Sequence, residues 1–235
     1  MTKLMSEFRH GRAYTVREAA KLARTHPRNI RNWLLGLDYE YRSMKLVFGN
    51  ERNERGDLML SFLGLAKVIM VARFWEPRYP GSNRRRVTLA KVRTAHSTAR
   101  TIWSDIAYPF ASLNLKELGG EIMHTIDTEN PAGGMMALSK HGQWALPESV
   151  ESEIAKFDFE SDRLPTRWYP AGKNKPIVVD PELAAGRMSI VGTRVTVEIV
   201  HDRFFNAKED IAYIARDLSL KKTDVEEAIK YARAA

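Results

Sequence analysis

Two helix-start signals near the N-terminus constrain the fold more than any other feature of the chain. Thr15 and Glu18 have the spacing of a capping box, and apolar residues follow them at helical spacing: Val16, Ala19, Ala20 and Ala23. Pro27 predicts the start of a second helix, because proline suits the first helical position. Its apolar stripe is Ile30, Trp33 and Leu34. Two short helices joined by a three-residue turn predict a helix-turn-helix.

The polar face of the second predicted helix carries side chains that can recognise bases. Arg28 and Asn32 lie four residues apart, and Asn29 and Arg31 flank them. Arginine matches guanine and asparagine matches adenine in the major groove, so these four residues are candidate DNA contacts. Two further basic residues complete the candidate set, Arg17 of the first helix and Lys45 of the segment after the second.

The segment Leu37–Phe48 shows partial alternation and could form a wing that touches the phosphate backbone. The alternative interpretation of this whole region is a plain helical hairpin with exposed charges. The charge distribution favours DNA binding. Residues 1–110 hold 21 Lys and Arg against 9 Asp and Glu, a net +12, whereas residues 111–235 hold 16 against 20, a net −4. A basic half is typical of a phosphate-binding surface.

The middle of the chain predicts two longer helices. Leu58 to Trp75 is apolar, but Lys67 and Arg73 interrupt it, which indicates a core helix rather than a membrane span. A later helix has apolar positions spaced 3-4-3-4-3, the pattern of a dimerisation seam: Leu89, Val92, His96, Ala99, Trp103 and Ile106. The alternative is that this helix packs into its own core. His96 is interpreted as a core or interface histidine, because no second metal ligand shares its face.

Short strands are expected at Glu121–Thr125, Met136–Ser139 and Trp144–Leu146, forming a small β-hairpin element. Residues 158–175 are interpreted as a linker, since they contain two prolines and a glycine. Arg167, Trp168 and Tyr169 stand out there, because exposed Arg, Trp and Tyr are enriched at interface hot spots. The alternative is that Trp168 and Tyr169 pin the linker onto its own domain.

The C-terminal segment predicts a very small domain. Strands are expected at Ile177–Val179 and Met188–Val191, followed by three helices. Thr196 would cap the first helix, and Thr223 with Glu226 would form a capping box at the third. Three helices in under 40 residues bury little core, so dimerisation or partner binding is expected.

Several functional classes are disfavoured by the sequence. The chain has no cysteine, no Gly-rich phosphate loop, no nucleophile elbow and no pair of histidines at metal-ligand spacing. We therefore expect no catalytic activity, no cofactor and no metal site. Met1 to Arg12 has no apolar stretch of the kind found in signal peptides, and a cysteine-free chain fits the reducing cytoplasm.

Two stretches resemble known families. The sequence YTVREAAKLARTHPRNIRNWL resembles the first helix-turn-helix of MerR-type regulators, although Thr25-His26 stands where the turn usually has glycine. The stretches PIVVDPELAAGRMSIVGTRVTVEIVHDRF and EDIAYIARDLSLKKTDVEEAIKYA resemble a small bacterial antitoxin domain. Its hallmarks are Gly-Arg-Pro followed by Gly-Thr-Arg, and Met188 replaces the proline here. LSFLGLAKV, VTLAKVRTAHSTAR and TRWYPAGKNKPIVVDP extend the likeness to VapB-type members.

The resemblance implies a type II antitoxin that neutralises a PIN-like ribonuclease toxin and represses its own operon by binding operator DNA. PIN-like nucleases are expected to hold a divalent metal with clustered carboxylates, so an inserted arginine could compete with that metal. Four arginines are candidates for this role: Arg163, Arg167, Arg187 and Arg194. Arg187 and Arg194 could instead pair with Asp180 or Glu182 to brace the turn. The alternative function is a stand-alone MerR-like transcription regulator with a C-terminal ligand-sensing or protein-sensing domain.

The predicted fold class is mainly α with small β elements. Five segments are expected: a winged helix-turn-helix at 1–56, a helical packing or dimerisation segment at 57–118, a β-hairpin element at 119–157, a linker with toxin contacts at 158–175 and an antitoxin domain at 176–235. The expected assembly is a cytoplasmic homodimer that binds toxin and duplex operator DNA, with no membrane contact.

Overall fold

The computed structural model describes residues 8–39, 42–44, 53, 55–75, 89–102, 104, 108–112 and 148–234. The chain divides into two compact units. The N-terminal unit comprises residues 10–155 and 159–165, and the C-terminal unit comprises residues 1–9, 156–158 and 166–235. The predicted fold class, mainly α with small antiparallel β elements, is confirmed for the described residues. None of the described helices has the length and apolarity that crossing a bilayer requires.

The first two helices form as their start signals predict. Strand β1 (Tyr14–Thr15) leads into α1 (Val16–Ala23), where Glu18 N–H donates to Thr15 Oγ1 at 3.2 Å and Thr15 N–H donates to Glu18 Oε2 at 2.8 Å. Helix α1 ends at Arg24, which takes the left-handed conformation (φ 55°) that glycine usually supplies. Helix α2 (Pro27–Leu35) begins with proline, and its predicted apolar stripe is fully buried.

Two small antiparallel pairs flank this helical pair. Strands β2 (Leu37–Tyr39) and β3 (Arg42–Met44) follow α2, with Asp38 opposite Ser43. This hairpin lies where the wing was expected, although Lys45 and the rest of that segment lie outside the described residues. Strand β4 (Met59–Leu60) pairs with β1, which ties the start of α1 to the chain that enters the next helix.

Helix α3 (Phe62–Trp75) is the centre of the N-terminal unit. Ser61 Oγ accepts the Gly64 N–H at 3.0 Å and so caps its first turn. Almost every side chain of α3 is buried, because α1, α4 (Leu89–Ile102), α5 (Glu148–Ile154) and a 3₁₀ turn (Pro109–Ala111) pack around it. Arg73 Nε donates to the buried Glu153 Oε2 at 2.8 Å, which joins α3 to α5. The predicted core helix is confirmed.

The structure contradicts the assignment of α4 to a dimer seam. Val92, His96 and Ala99 are buried within the unit itself, and the His96 and Phe110 rings meet edge to face at 5.3 Å. The alternative interpretation, packing into the chain's own core, is the one these residues follow. The Leu89 side chain, Trp103 and Ile106 lie outside what the structure describes. A 3-4 apolar repeat specifies one buried face, and here the 3₁₀ turn and α3 cover that face.

The predicted hairpin element is tested only at its end. The strands expected at Glu121–Thr125, Met136–Ser139 and Trp144–Leu146 fall outside the described residues. Within the 119–157 segment, residues 148–154 form helix α5, which the sequence interpretation did not anticipate.

Residues 158–175 are not a linker. They contribute to a four-stranded sheet whose spatial order is β5 (Phe157–Phe159), β6 (Pro165–Trp168), β7 (Ile177–Val179) and β8 (Met188–Ile190). Trp168 is only 1% exposed and stacks on Phe157 with ring centroids 6.0 Å apart. The prolines and glycine that suggested a linker occupy a strand start and turns, which is where an antiparallel sheet accepts them.

Three helices complete the C-terminal unit, as predicted. Helix α6 (Val197–His201) begins at the Thr196 cap and continues into a π-helical turn (Asp202–Asn206), and α7 (Ile211–Asp217) begins at the Asp210 cap. Helix α8 (Lys222–Ala234) begins one residue before Thr223, so the predicted Thr223–Glu226 capping box is wrong. The helices and sheet share one core: Ile177, Ile190, Val197, Val200, Ile214, Ala215, Val225, Ala228 and Ile229.

Candidate functional site

The outer surface of α1 and α2 is basic. Arg17, Arg28 and Arg31 are exposed, and Asn29 and Asn32 are half-buried at the edges of the same helix face. The one acidic residue of the two helices, Glu18, is held in the capping box. Arg28 and Arg31 are three residues apart and therefore project from neighbouring turns of α2. The structure thus brings five of the six predicted DNA contacts onto one helical pair.

The turn between α1 and α2 is fixed by side chains. Asn29 Nδ2 donates to Thr25 Oγ1 at 3.1 Å, so this amide braces the turn rather than pointing freely outward. His26 Nδ1 accepts the Arg28 N–H at 3.1 Å and so caps the first turn of α2. His26 was not predicted as a cap, because asparagine, aspartate, serine and threonine are the residues expected there.

Arg167 is the best-anchored of the candidate arginines in the C-terminal unit. Its Nε donates to Asp180 Oδ2 at 2.7 Å, and Asp180 is buried and also accepts the Glu182 N–H. The hydrogen bond to Asp180 raises the pKa of Arg167 above its ordinary value. The buried Asp180 holds the Arg167 guanidinium in place, while 48% of the Arg167 side chain stays exposed to solvent.

Tyr169 and Lys173 extend this group. Tyr169 Oη donates to Asp158 Oδ2 at 2.8 Å, and Lys173 Nζ donates to Asp158 Oδ1 at 2.6 Å. Burial alone would raise the pKa of Asp158, but these hydrogen bonds outweigh it and hold that pKa below its ordinary value.

Trp168 points the opposite way into the core. The prediction that Trp168 is an exposed toxin anchor is therefore wrong. Trp168 follows the alternative interpretation, in which it holds this segment onto its own domain.

Arg163 belongs to the N-terminal unit, whereas Arg167 belongs to the C-terminal unit. Arg163 is exposed, and its N–H donates to the Glu160 carbonyl, which closes a turn. The Arg163 backbone is left-handed (φ 60°). The sequence interpretation had placed both arginines on one linker.

Arg187 and Arg194 do not brace the turn through Asp180 or Glu182. Within the described C-terminal unit neither arginine forms an ion pair, and Arg167 holds Asp180 instead. Arg187 Nε donates only to the Ala184 carbonyl, at 3.2 Å. The turn before it contains two alanines in the left-handed region, Ala184 (φ 48°) and Ala185 (φ 54°), a conformation that costs an L side chain free energy.

Arg194 lies on a rigid turn between β8 and α6. Thr193 Oγ1 donates to the Ile190 carbonyl at 3.0 Å and accepts the Val195 N–H at 3.1 Å, while Gly192 takes a positive φ of 75°. The turn exposes Val191 (45%) and Arg194, whose side chain makes no hydrogen bond to the described residues. An exposed apolar side chain beside an uncommitted arginine on a fixed loop has the character of a binding surface.

The described residues contain no cluster of three or more His, Asp or Glu side chains that could hold a metal ion. Sequence reasoning missed Asp158, Lys173 and Val191, and it considered Asp180 only as a partner of Arg187 or Arg194. Period-two alternation around Trp168 could have indicated strand β6, which lies between β5 and β7.

Comparison with known proteins informs the fold more than the function. Residues 177–232 match a family described as a protein of unknown function, DUF433. The crystal structure of Rv2018 from Mycobacterium tuberculosis superposes with a TM-score of 0.73 at 18% identity, covering 93% of this chain and 97% of that chain. None of the curated proteins compared with the chain matches it. The likeness to Rv2018 shows a shared fold.

Proposed function

We propose that the chain is a type II antitoxin, in which the N-terminal unit binds operator DNA and the C-terminal unit binds and neutralises a PIN-like ribonuclease. The basic face of α1 and α2 supports the first half, because its exposed arginines lie on a short helix of the size that enters a major groove. The resemblance of both units to antitoxin sequences supports the second half.

The observation that carries the toxin-binding role is the Arg194 turn. An arginine that enters a cluster of carboxylates must be unpaired beforehand, must be exposed and must be held in place, and Arg194 meets all three conditions. Arg167 meets the last two, but Asp180 already uses part of its guanidinium. We therefore assign the inhibitory contact to Arg194 and a supporting contact to Arg167.

The test is co-expression of the full chain with the protein encoded by the adjacent reading frame. We expect the two to co-purify at fixed stoichiometry, and Arg194→Glu to weaken the complex by about 30-fold, as truncation or reversal of an interface hot spot does. Lys208→Glu is the matched control, because Lys208 is exposed in the same unit, is not part of the Arg194 turn and forms no ion pair with the described residues.

The same preparations test the DNA-binding half. Arg28→Ala is expected to weaken specific duplex binding by about 1–3 kcal/mol and to leave toxin capture unchanged. Specific DNA binding without any co-purifying partner would instead support the stand-alone regulator. Full toxin capture by Arg194→Glu would contradict the assignment of the inhibitory contact.

A further inference from the structure

The C-terminal unit repeats the backbone construction of α1 and α2. Its helices α7 and α8 are joined by residues 218–221, and we call this pair the α7–α8 motif. The N-cap contact of α1 recurs in α7 at an offset of 195 residues, the distance along the chain from Thr15 to Asp210. Thr15 Oγ1 accepts the Glu18 N–H at 3.2 Å, and Asp210 Oδ1 accepts the Tyr213 N–H at 2.8 Å.

The turns that follow α1 and α7 also match. Arg24 and Ser219, which the same offset relates, both take the left-handed conformation, with φ angles of 55° and 54°. In each turn the next residue donates its N–H to the carbonyl five residues earlier, at 2.9 Å after Arg24 and at 2.8 Å after Ser219. This left-handed residue and this hydrogen bond define a Schellman motif, which ends one helix and redirects the chain into the next.

The buried face of the second helix follows the same offset. The apolar stripe of α2 and its counterpart in α8 are buried throughout: Ile30 and Val225, Trp33 and Ala228, Leu34 and Ile229. Helix α6 packs against α8 and contributes Val197 and Val200 to the core behind the motif. The chain therefore contains a second helix-turn-helix, built with the same N-cap contact, turn and buried stripe as the first.

The outward face of α8 carries side chains that can recognise bases. Thr223 and Glu226 occupy the positions that Arg28 and Arg31 occupy in α2, and Lys222 is the first residue of α8. Lys222, Thr223 and Glu226 are all exposed. In a major groove lysine matches guanine, a carboxylate accepts from the cytosine amino group, and the threonine methyl group contacts that of thymine. The N-terminal residues of a recognition helix are the ones that reach base edges.

The charges of the α7–α8 motif differ from those of α1 and α2. Glu227 is paired with Lys175 at 2.7 Å and with Lys230 at 3.1 Å, and hydrogen bonds from these two lysines hold the pKa of Glu227 below its ordinary value. Glu226 stays exposed, and its carboxylate offsets the attraction of Lys222 for phosphates. The motif is therefore suited to base selection, while the arginines of α1 and α2 supply the general attraction to DNA.

We propose that the α7–α8 motif is a second site for duplex DNA, with α8 in a major groove and Lys222, Thr223 and Glu226 against base edges. The inference rests on the proposed binding of DNA by α1 and α2, and it adds a contact in the other unit. Both motifs belong to one chain. Once α1 and α2 hold a duplex, the weakly charged second motif meets that duplex at a high effective concentration.

The test uses a duplex that the full-length chain selects from a pool of random sequences. Hydroxyl-radical footprinting of the natural chain on this duplex should show two protected segments. Lys222→Glu should remove the protection of one segment and leave the other. Lys208→Glu is the matched control, because it makes the same charge change at an exposed residue of the C-terminal unit outside the motif. It should leave both segments protected.

Glu226→Gln tests base reading without reversing a charge. We expect about a tenfold loss of affinity for the selected duplex, and a repeated selection with this variant should change the preferred base pair at one position of the second segment. Lys222 and Glu226 are exposed, so the thermal unfolding of both variants should equal that of the natural chain.

The outcomes separate this inference from the proposed function. A chain that selects no duplex would contradict DNA binding by both motifs. A single protected segment, bound equally by the natural chain, Lys222→Glu and Glu226→Gln, would overturn the second site and leave the first. Loss of toxin capture by Lys222→Glu with an unchanged footprint would assign the α8 face to a protein partner, and would also overturn the inference.

Discussion

His96 is the residue whose chemistry the fold changes most. It is 8% exposed, its ring meets Phe110, and burial together with the nearby charges of Lys67 and Arg100 lowers its pKa to about 4. An unfolded histidine titrates near 6.5. Between these two values the unfolded chain binds a proton that the folded chain does not. The unfolding free energy contributed by His96 is therefore complete above pH 6.5 and is lost as the pH falls towards 4.

We predict that the stability of the N-terminal unit falls by at most about 3 kcal/mol between pH 7 and pH 4 on account of this one side chain. His96→Leu removes the proton-binding group and should flatten that part of the profile. Urea unfolding at several pH values measures the effect. If the unfolding free energy falls equally with decreasing pH in the natural and His96→Leu proteins, His96 is not the source of the loss.

At the scale of elements, the capping box decides where α1 begins. Thr15 and Glu18 satisfy each other's backbone N–H groups, and Thr15 is exposed, so truncating it removes the cap with little loss of packing. We expect Thr15→Ala to cost about 1 kcal/mol of unfolding free energy. Thr101→Ala is the control, because Thr101 is also exposed but bonds only to the Ser97 carbonyl within α4. Chemical denaturation measures the unfolding free energy of both variants. Equal losses of unfolding free energy would contradict the role of Thr15 as a cap.

Elements with local signals were predictable, and elements defined by distant partners were not. Helix α1 carries its own capping box and α2 begins with its own proline, so sequence alone located them to within a residue or two. Strand β6 was missed because its Pro-rich context resembles a linker until β5 and β7 lie beside it. The α4 stripe was correctly placed on a helix, but a 3-4 repeat does not say whether a second copy or the same chain covers it.

In the candidate site too, features with local signals were predictable and contacts between distant residues were not. The exposure of Arg17, Arg28 and Arg31 follows from the helical period and was predicted. The pairing of Arg167 with Asp180 spans two strands, so only the assembled sheet reveals it. The same pairing left Arg194 without a carboxylate, which the sequence could not indicate.

At the scale of the whole molecule, the charge of the chain is divided between its halves, +12 in residues 1–110 and −4 in residues 111–235. If the exposed residues Arg17 and Lys21 of α1 and Arg31 of α2 contact phosphates, each should release about one counterion from duplex DNA. We predict that the logarithm of the binding constant falls with the logarithm of salt concentration with a slope of roughly −3 per protomer.

Fluorescence anisotropy at 50 to 300 mM salt, about a six-fold range, measures this slope. Arg17→Ala should reduce its magnitude by about 1 without changing sequence preference, whereas Arg28→Ala should relax the preference. Lys208→Ala, in the C-terminal unit, should alter neither quantity. A slope that Arg17→Ala leaves unchanged would remove this arginine from the DNA interface.

Helix α3 has a consequence for how the protein is made. Its side chains are apolar apart from Lys67 and Arg73, and one of the helices that cover it, α5, ends 79 residues later in the chain. At ordinary rates of translation a ribosome needs about 4 to 16 s to synthesise that stretch. During this interval α3 leaves the ribosome without its full cover, as an apolar helix of the kind that chaperones and proteases recognise. The full cover of α3 therefore forms only after the last residues of α5 have been synthesised.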